Sequence, residues 1–350
     1  MKKLLTILII IVMALSVTGC GGENVEAIDP ESLDYVTVEI VPGSTGTSIG
    51  QQLADAGIIA DGDDFRKYLK KNELDAKLQA GVYSFSANMD YATIADILTT
   101  GKVATKTFTI PEGLTIIQTV SKLVDQGMGD YDKFMDIIKH GDFSDYAWLQ
   151  YSIENNGYDR LEGYLLPNTY TVPINYTEQD IINVLIEQYP NYVFPLVGDI
   201  NLASFNNIIV KASIIERECK KDEERPLVAS VINNRLEKGM LLQMDSTLNY
   251  LFLQETGEVK ETVLYSDLEK DSPYNTYKYS GLPPHPICNP GLASIEAAIN
   301  PADTDYLYFV VSGDLDGSTR FSTNATDFAK DVRDYDKALT QKHAEEAQNQ

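Results

Sequence analysis

The chain has 350 residues, 28 basic against 52 acidic, for a formal net charge of −24, and 43% of it is hydrophobic. A surface that acidic repels phosphate backbones and anionic headgroups, which excludes nucleic acid as a partner and means that any membrane contact needs another source. The length suits two domains, and the balance of apolar and charged residues is that of a globular protein.

That other source lies at the N-terminus. Lys2 and Lys3 precede an apolar run from Leu4 to Leu15, followed by Ser16-Val17-Thr18-Gly19-Cys20. A positive start, a core too short for a comfortable span and small residues before the cut predict a secretory signal over residues 1–20. A cysteine directly after a small residue predicts lipidation at Cys20 and a lipid anchor in the cell membrane; the alternative is an uncleaved N-terminal anchor. Both place the remainder on the extracytoplasmic face. Residues 21–34 are polar and aperiodic, which predicts a tether.

Val36 to Val41 alternates as a strand and turns at Pro42-Gly43, two helices follow over Ser48–Ala56 and Asp63–Lys71, and Gly81–Phe85 is a second strand. This strand, helix, helix, strand order over residues 35–105 resembles a LysM-like module. Tyr91–Thr99 is a further helix. The passage from Ile110-Pro111-Glu112-Gly113 through Thr115 to Leu123 and Gly127 repeats the one from Val41-Pro42 through Thr47 to Gly57. Glu162 follows in Leu161-Glu162-Gly163-Tyr164, then a helix carrying Ile181, Ile182, Leu185 and Ile186.

Chemistry concentrates in the next stretch. Ile208, Ala212, Ile215 and Cys219 recur at three- and four-residue steps, which predicts a helix over Asn206–Cys219 with Glu216 on the border of its apolar stripe and Glu218, seven residues after Lys211, on a wetter side. A carboxyl pressed against aliphatic side chains loses hydration as the anion and can stay protonated near neutral pH, the requirement for a general acid. The competing reading makes Glu216 a boundary residue paired with Arg217, Lys220 or Arg235. Asp222 as N-cap, Pro226 in the first turn and Gly239 as stop bound the next helix. Asn234 and Arg235 near its end, then Gln243, Asp245, Ser246 and Thr247, gather donors and acceptors suited to a polar ligand.

Beyond this, Ser272-Pro273-Tyr274-Asn275-Thr276-Tyr277 combines rings and amides that suit a sugar, Gly281–Pro290 is too proline-rich for helix or strand and reads as a groove wall, and Tyr306–Val311 reads as a buried strand. His140, His285 and His343 lie far apart with no cysteine pairs nearby, and no phosphate-binding glycine loop occurs, so neither metal nor cofactor is predicted. Cys219 and Cys288 are left either as buried thiols or as a disulfide.

Ala212-Ser-Ile-Ile-Glu-Arg-Glu218, the run from Asp222 to Met240, Leu242-Gln-Met-Asp-Ser-Thr247, Leu161–Tyr170, Ser272–Tyr277, Gly281–Leu292 and Asn300–Val310 closely resemble, in order, the endolytic murein transglycosylase family, the MltG or YceG-like proteins. The resemblance spans roughly residues 35–335. It implies an α+β protein in which the LysM-like module precedes a mixed α/β catalytic domain over residues 106–340, with a polar tail over 341–350. It also implies a lyase that cuts the MurNAc–GlcNAc β-1,4 bond of peptidoglycan and leaves a 1,6-anhydro end, close to the membrane and to partners in the synthesis machinery. The muramic acid's own C6 hydroxyl attacks, so one carboxyl serves as acid and then base. Glu216 is expected in that role, with Glu162, Asn234, Gln243, Asp245, Thr247, Tyr274 and Asn275 binding the glycan. A hydrolytic muramidase using Glu216 with Asp245, or a peptidoglycan-binding lipoprotein without activity, are the alternatives. Asn168 stands where the family commonly has Asp, and Thr319 and Phe328 where histidines are common.

Overall fold

The computed structural model describes residues 26–260 and 263–348. The predicted signal and Cys20 lie outside the described residues. The chain divides after Thr105 into two compact units.

In the first unit, strands β1 (Val36–Ile40) and β2 (Gly81–Phe85) pair antiparallel, Val36 opposite Phe85 and Ile40 opposite Gly81. Helices α1 (Gly46–Asp55) and α2 (Gly62–Lys71) lie between them in sequence, and α3 (Tyr91–Thr100) follows. Thr45 and Asp61 cap α1 and α2 by accepting from first-turn N–H groups. The two helices approach so closely that a Cβ on Gly50 or Gly62 would lie 2.4–2.5 Å from the other's backbone. Ile49, Leu53, Phe65, Leu69, Tyr83 and Phe85 fill the core. Residues 26–34, read as tether, form no helix or strand but are not loose: Asp29 N–H donates to Ala87 O at 3.0 Å, and Asn88 Nδ2 to Ser32 O at 2.8 Å.

The second unit opens with β3 (Thr105–Ile110), α4 (Ile116–Asp125) and α5 (Tyr131–His140), then the short α6 (Gln150–Asn155) and β4 (Asn168–Pro173). Strand β3 pairs with β4, where the hydroxyls of Thr107 and Thr171, and of Thr109 and Thr169, lie 2.9 Å apart. The strand, helix, helix order of the first unit thus recurs, with the short α6 inserted before the second strand. In both copies a left-handed glycine turns the strand, Gly43 at φ 86° and Gly113 at φ 76°, and a threonine caps the helix. The counterpart of Thr115 is Thr45, not the predicted Thr47.

Helices α7 (Glu178–Ile186), α8 (Gln188–Tyr192) and α9 (Phe194–Val197) lead to α10 (Leu202–Glu218), which is packed by α11 (Arg225–Glu237), α12 (Asp245–Thr256) and α13 (Leu292–Ile299). Ile209, Val210, Ala212, Ile214 and Ile215 on α10 have no solvent exposure; truncating one of its isoleucines to alanine would cost about 2–5 kcal/mol. Pro226 sits in the first turn of α11, but Asp222 does not cap it and instead accepts from Arg225 Nε at 2.9 Å.

The predicted groove wall at 281–290 is an irregular, mostly buried strap. Ile287 N–H donates to Ser213 Oγ at 3.0 Å, Gly113 N–H to Asn289 O at 2.9 Å and Leu165 N–H to Asn289 Oδ1 at 3.0 Å, so its polar groups are spent inside the protein. Cys219 and Cys288 are both buried free thiols. Strands β5 (Tyr308–Val311) and β6 (Thr319–Ser322) form an antiparallel pair that is half-buried, not buried, because one face borders a cavity. Helix α14 (Ala325–Gln348) packs on both and runs through most of the predicted tail, whose Ala, Glu, Gln and Lys residues favour helix. Among the described residues no single helix is long and apolar enough to cross a membrane.

Candidate active site

A cavity of about 450 Å³ lies where the C-terminal ends of α10 and α11, the start of α12, the β5–β6 pair and α14 converge. Its polar side is Glu218, Arg235, Gln243, Asp245 and Tyr277; its apolar side includes Leu242, Tyr308, Phe309 and Phe328, with Thr319 at the edge.

Glu218 is the last residue of α10 and is half-buried, with its carboxyl surrounded by protein. Burial pushes its pKa above the ordinary 4.5; the hydroxyl and N–H of Ser246 oppose this, and the charge of Asp245 adds to it. Oε1 accepts the Ser246 N–H at 3.2 Å. Asp245, at the first turn of α12, accepts the Tyr277 hydroxyl on Oδ1 at 2.5 Å. Gln243 is held at φ 52°, a left-handed conformation rare for a side chain other than glycine. Its N–H donates to Thr276 O at 3.0 Å, and its Oε1 accepts from Arg235 at 3.4 Å. Strain of this kind gathers where a side chain must be aimed.

Arg235 is buried and held by carbonyls: Nε donates to Leu307 O at 2.5 Å and Nη1 to Leu242 O at 2.8 Å. Its guanidinium lies 5.0 Å from the Tyr308 ring centre, and Phe328 stacks on the same ring at 5.1 Å and 24°. This gives the cavity a rigid cation–aromatic wall.

Glu216, expected as the acid, lines none of this cavity. Its carboxylate pairs with Arg225 Nη1 at 3.3 Å, both side chains being 7% exposed, and also accepts from Gly291 N–H at 3.0 Å and Ser294 Oγ at 2.8 Å. Arg225 donates in turn to Ser294 Oγ and Asp222. These partners hold Glu216 inside an ion-pair cluster. The ion-pair partner of Glu216 is Arg225, not the Arg217, Lys220 or Arg235 of the boundary-residue reading. The difference in surroundings has a physical cause: α10 is buried on nearly every side, and Lys211, whose position sets the wetter side in the sequence reading, is half-buried with its Nζ 3.2 Å from Asn233 Oδ1. Periodicity then has no wet side to report.

Of the other expected ligand residues, Gln243 and Asp245 border the cavity and the rest serve the framework. Glu162 is wholly buried, accepting from Ile116 N–H at 3.1 and 3.2 Å and from the Tyr250 hydroxyl at 3.4 Å; burial raises its pKa to about 8. Asn234 Nδ2 donates to Thr304 O at 2.7 Å and Tyr306 O at 2.9 Å, tying α11 to the chain before β5. Thr247 is buried and donates to Met244 O, Tyr274 bonds His285, and the wholly buried Asn275 holds Leu268 O and Lys270 O at 2.8 Å each. Their hydrogen-bonding groups are used by their neighbours. Thr319 and Phe328, noted only as departures from a pattern, line the cavity, as does Tyr277 of the tyrosine-rich loop.

The profile of the YceG-like family matches residues 38–334. A Bacillus subtilis protein named endolytic murein transglycosylase is 34% identical over 333 residues, covering 91% of this chain and 88% of its own length. A Streptococcus pneumoniae protein of the same name is 32% identical, with 88% of this chain matched to 60% of that longer protein. The crystal structure of a putative YceG-like protein from Listeria monocytogenes superposes with a TM-score of 0.53 at 32% identity, covering 85% of this chain and 99% of that one. The chain belongs to the YceG-like family.

Proposed function

We propose that the protein is an endolytic peptidoglycan lytic transglycosylase with Glu218 as its general acid and base. The observation that carries the assignment is that the Glu218 carboxyl is surrounded by protein, borders an open cavity and forms no salt bridge among the described residues, whereas Glu216 lines no part of that cavity and is paired with Arg225. The names of the Bacillus and Streptococcus relatives support the reaction.

In the reaction Glu218 gives its proton to the glycosidic oxygen as the bond from C1 of MurNAc to that oxygen breaks. The carboxylate then takes the proton of the C6 hydroxyl as O6 bonds to C1, closing the anhydro ring and restoring the acid without water. Tethering of the hydroxyl to the reacting ring supplies the effective molarity that a separate nucleophile would need. Asp245, oriented by the Tyr277 hydroxyl, places negative charge beside the developing positive charge at C1. Because Asp245 shares the cavity, hydrolysis with Asp245 as base for water is the second reading.

The test is digestion of purified glycan with mass analysis of the ends. Anhydro ends are expected, abolished by Glu218→Gln; reducing ends would mean hydrolysis, and activity within about tenfold of wild type in Glu218→Gln would remove the assignment, since acid–base groups contribute about 10²- to 10⁴-fold. Anchoring by lipid on Cys20 is supported by Lys2, Lys3, the run from Leu4 to Leu15 and Gly19-Cys20, and would place cleavage where new strands leave the membrane, beside the synthesis machinery. Uptake of labelled fatty acid at the N-terminus checks it. The LysM-like reading of the first unit is supported by its strand, helix, helix, strand order, and an experimental structure of that unit checks it.

A further inference from the structure

Among the buried side chains, Ser246 stands out. It is 7% exposed, its Oγ has no hydrogen-bond partner, and it sits in the first turn of α12 directly behind the Glu218 carboxyl. Its N–H already donates to Glu218 Oε1 at 3.2 Å. The hydroxyl makes no hydrogen bond of full geometry in the resting state, yet lies close enough to the same carboxyl to favour its anion. A buried hydroxyl without a partner is a cost that folded proteins avoid.

We infer that Ser246 is a positioning residue for the acid, whose hydroxyl turns to donate to Glu218 only once that carboxyl has lost its proton. The inference rests on Glu218 being the acid and base. In the resting state the Ser246 N–H occupies Oε1, so the acidic proton sits on Oε2 and faces the cavity. When that proton passes to the glycosidic oxygen, a carboxylate is left in a poorly hydrated place beside the charge of Asp245. The Ser246 side chain turns about its Cα–Cβ bond, which brings Oγ within reach of the carboxylate and adds a second donor to the one its N–H supplies. A donor engaged in the charged state and idle in the neutral one stabilises the transition state more than the ground state, which is the condition for raising rate rather than affinity. Proton and bond counts are unchanged, since Ser246 keeps its proton throughout. The other groups facing the carboxyl are Asp245 and Tyr277 across the cavity, Arg217 on its own helix and the Cys219 thiol next to it in the chain; none changes in the variants below.

The experiment measures initial release of anhydro-muropeptides from purified peptidoglycan by the full chain, from pH 4 to 9, for wild type, Ser246→Ala, Ser246→Cys and Ser246→Thr. The active form holds the Glu218 proton, so rate falls as pH rises through its pKa. Loss of a donor to the anion raises that pKa. Ser246→Ala is therefore expected to lower kcat by about tenfold, with KM little changed, and to move the alkaline limb to higher pH. Ser246→Cys, a weak donor of similar shape, should follow alanine, and Ser246→Thr should restore both rate and limb. A Ser246→Ala limb that stays in place, or a threonine variant as impaired as alanine, overturns the inference. Glu218→Gln run alongside separates the two readings: if it stays active the acid assignment fails, and if it is inactive while the Ser246 limb does not move, only the role of Ser246 fails.

Discussion

Replacing Glu162 by glutamine should remove a pH dependence of stability from the second unit. Burial raises the Glu162 pKa from its ordinary 4.5 to about 8, with the charge of Asp159 adding to the rise and the Ile116 N–H and Tyr250 hydroxyl opposing it. The folded state therefore binds this proton more tightly than the unfolded chain. Its contribution is fully present below pH 4.5, declines as pH rises, and is lost above pH 8. At about 1.36 kcal/mol per pH unit, the interval sets a ceiling of about 5 kcal/mol, and rearrangement around the anion will reduce it. Glutamine cannot ionise, so the stability gap between wild type and Glu162→Gln should shift steadily in the variant's favour from pH 5 to pH 8 and then level off. Trp148, the only tryptophan, packs on Tyr164, Tyr189 and Phe205 close to this region, so its fluorescence in urea titrations reports on the second unit. A gap that does not change with pH would refute the reasoning.

Glu216→Gln should act on stability instead of on chemistry: removing one charge from the buried Arg225 cluster, which keeps Asp222 and Ser294 as partners, is expected to cost about 1–3 kcal/mol, read as a lower urea midpoint, while the folded fraction keeps its activity. Phe328→Ala strips one face of the Tyr308 stack and opens the apolar side of the cavity; KM for glycan should rise several-fold with a smaller change in kcat, measured by steady-state release of soluble fragments.

Much of the scaffold was legible in the sequence because its signals are local. Glycines marked turns, and the periodicity from Val36 to Phe85 placed the strand, helix, helix, strand unit within a residue or two. The site was legible only as a neighbourhood. Gln243 and Asp245 could be found because they cluster in sequence with their own helix start. The choice between Glu216 and Glu218 could not be made by counting, because it depends on where Arg225 and Ser294 return in space, and both glutamates lie near the end of a helix covered on most sides. Arg235, Tyr308 and Phe328 come together from α11, β5 and α14, and nothing in the spacing of those residues announces the stack they form.

The order in which the cavity walls occur along the chain has a consequence for synthesis. Domains form as units from the N-terminal side as a chain emerges. Glu218 and the helices that pack on α10 are synthesised before β5, β6 and α14, yet all belong to the second unit, so the carboxyl and the surface facing it come together only when that unit is complete. A chain halted before Tyr308 would lack the aromatic wall that faces Glu218 across the cavity. Wall-cutting activity would thus arrive late in the birth of each molecule, and fragments released early would be harmless to the wall they are built to cut.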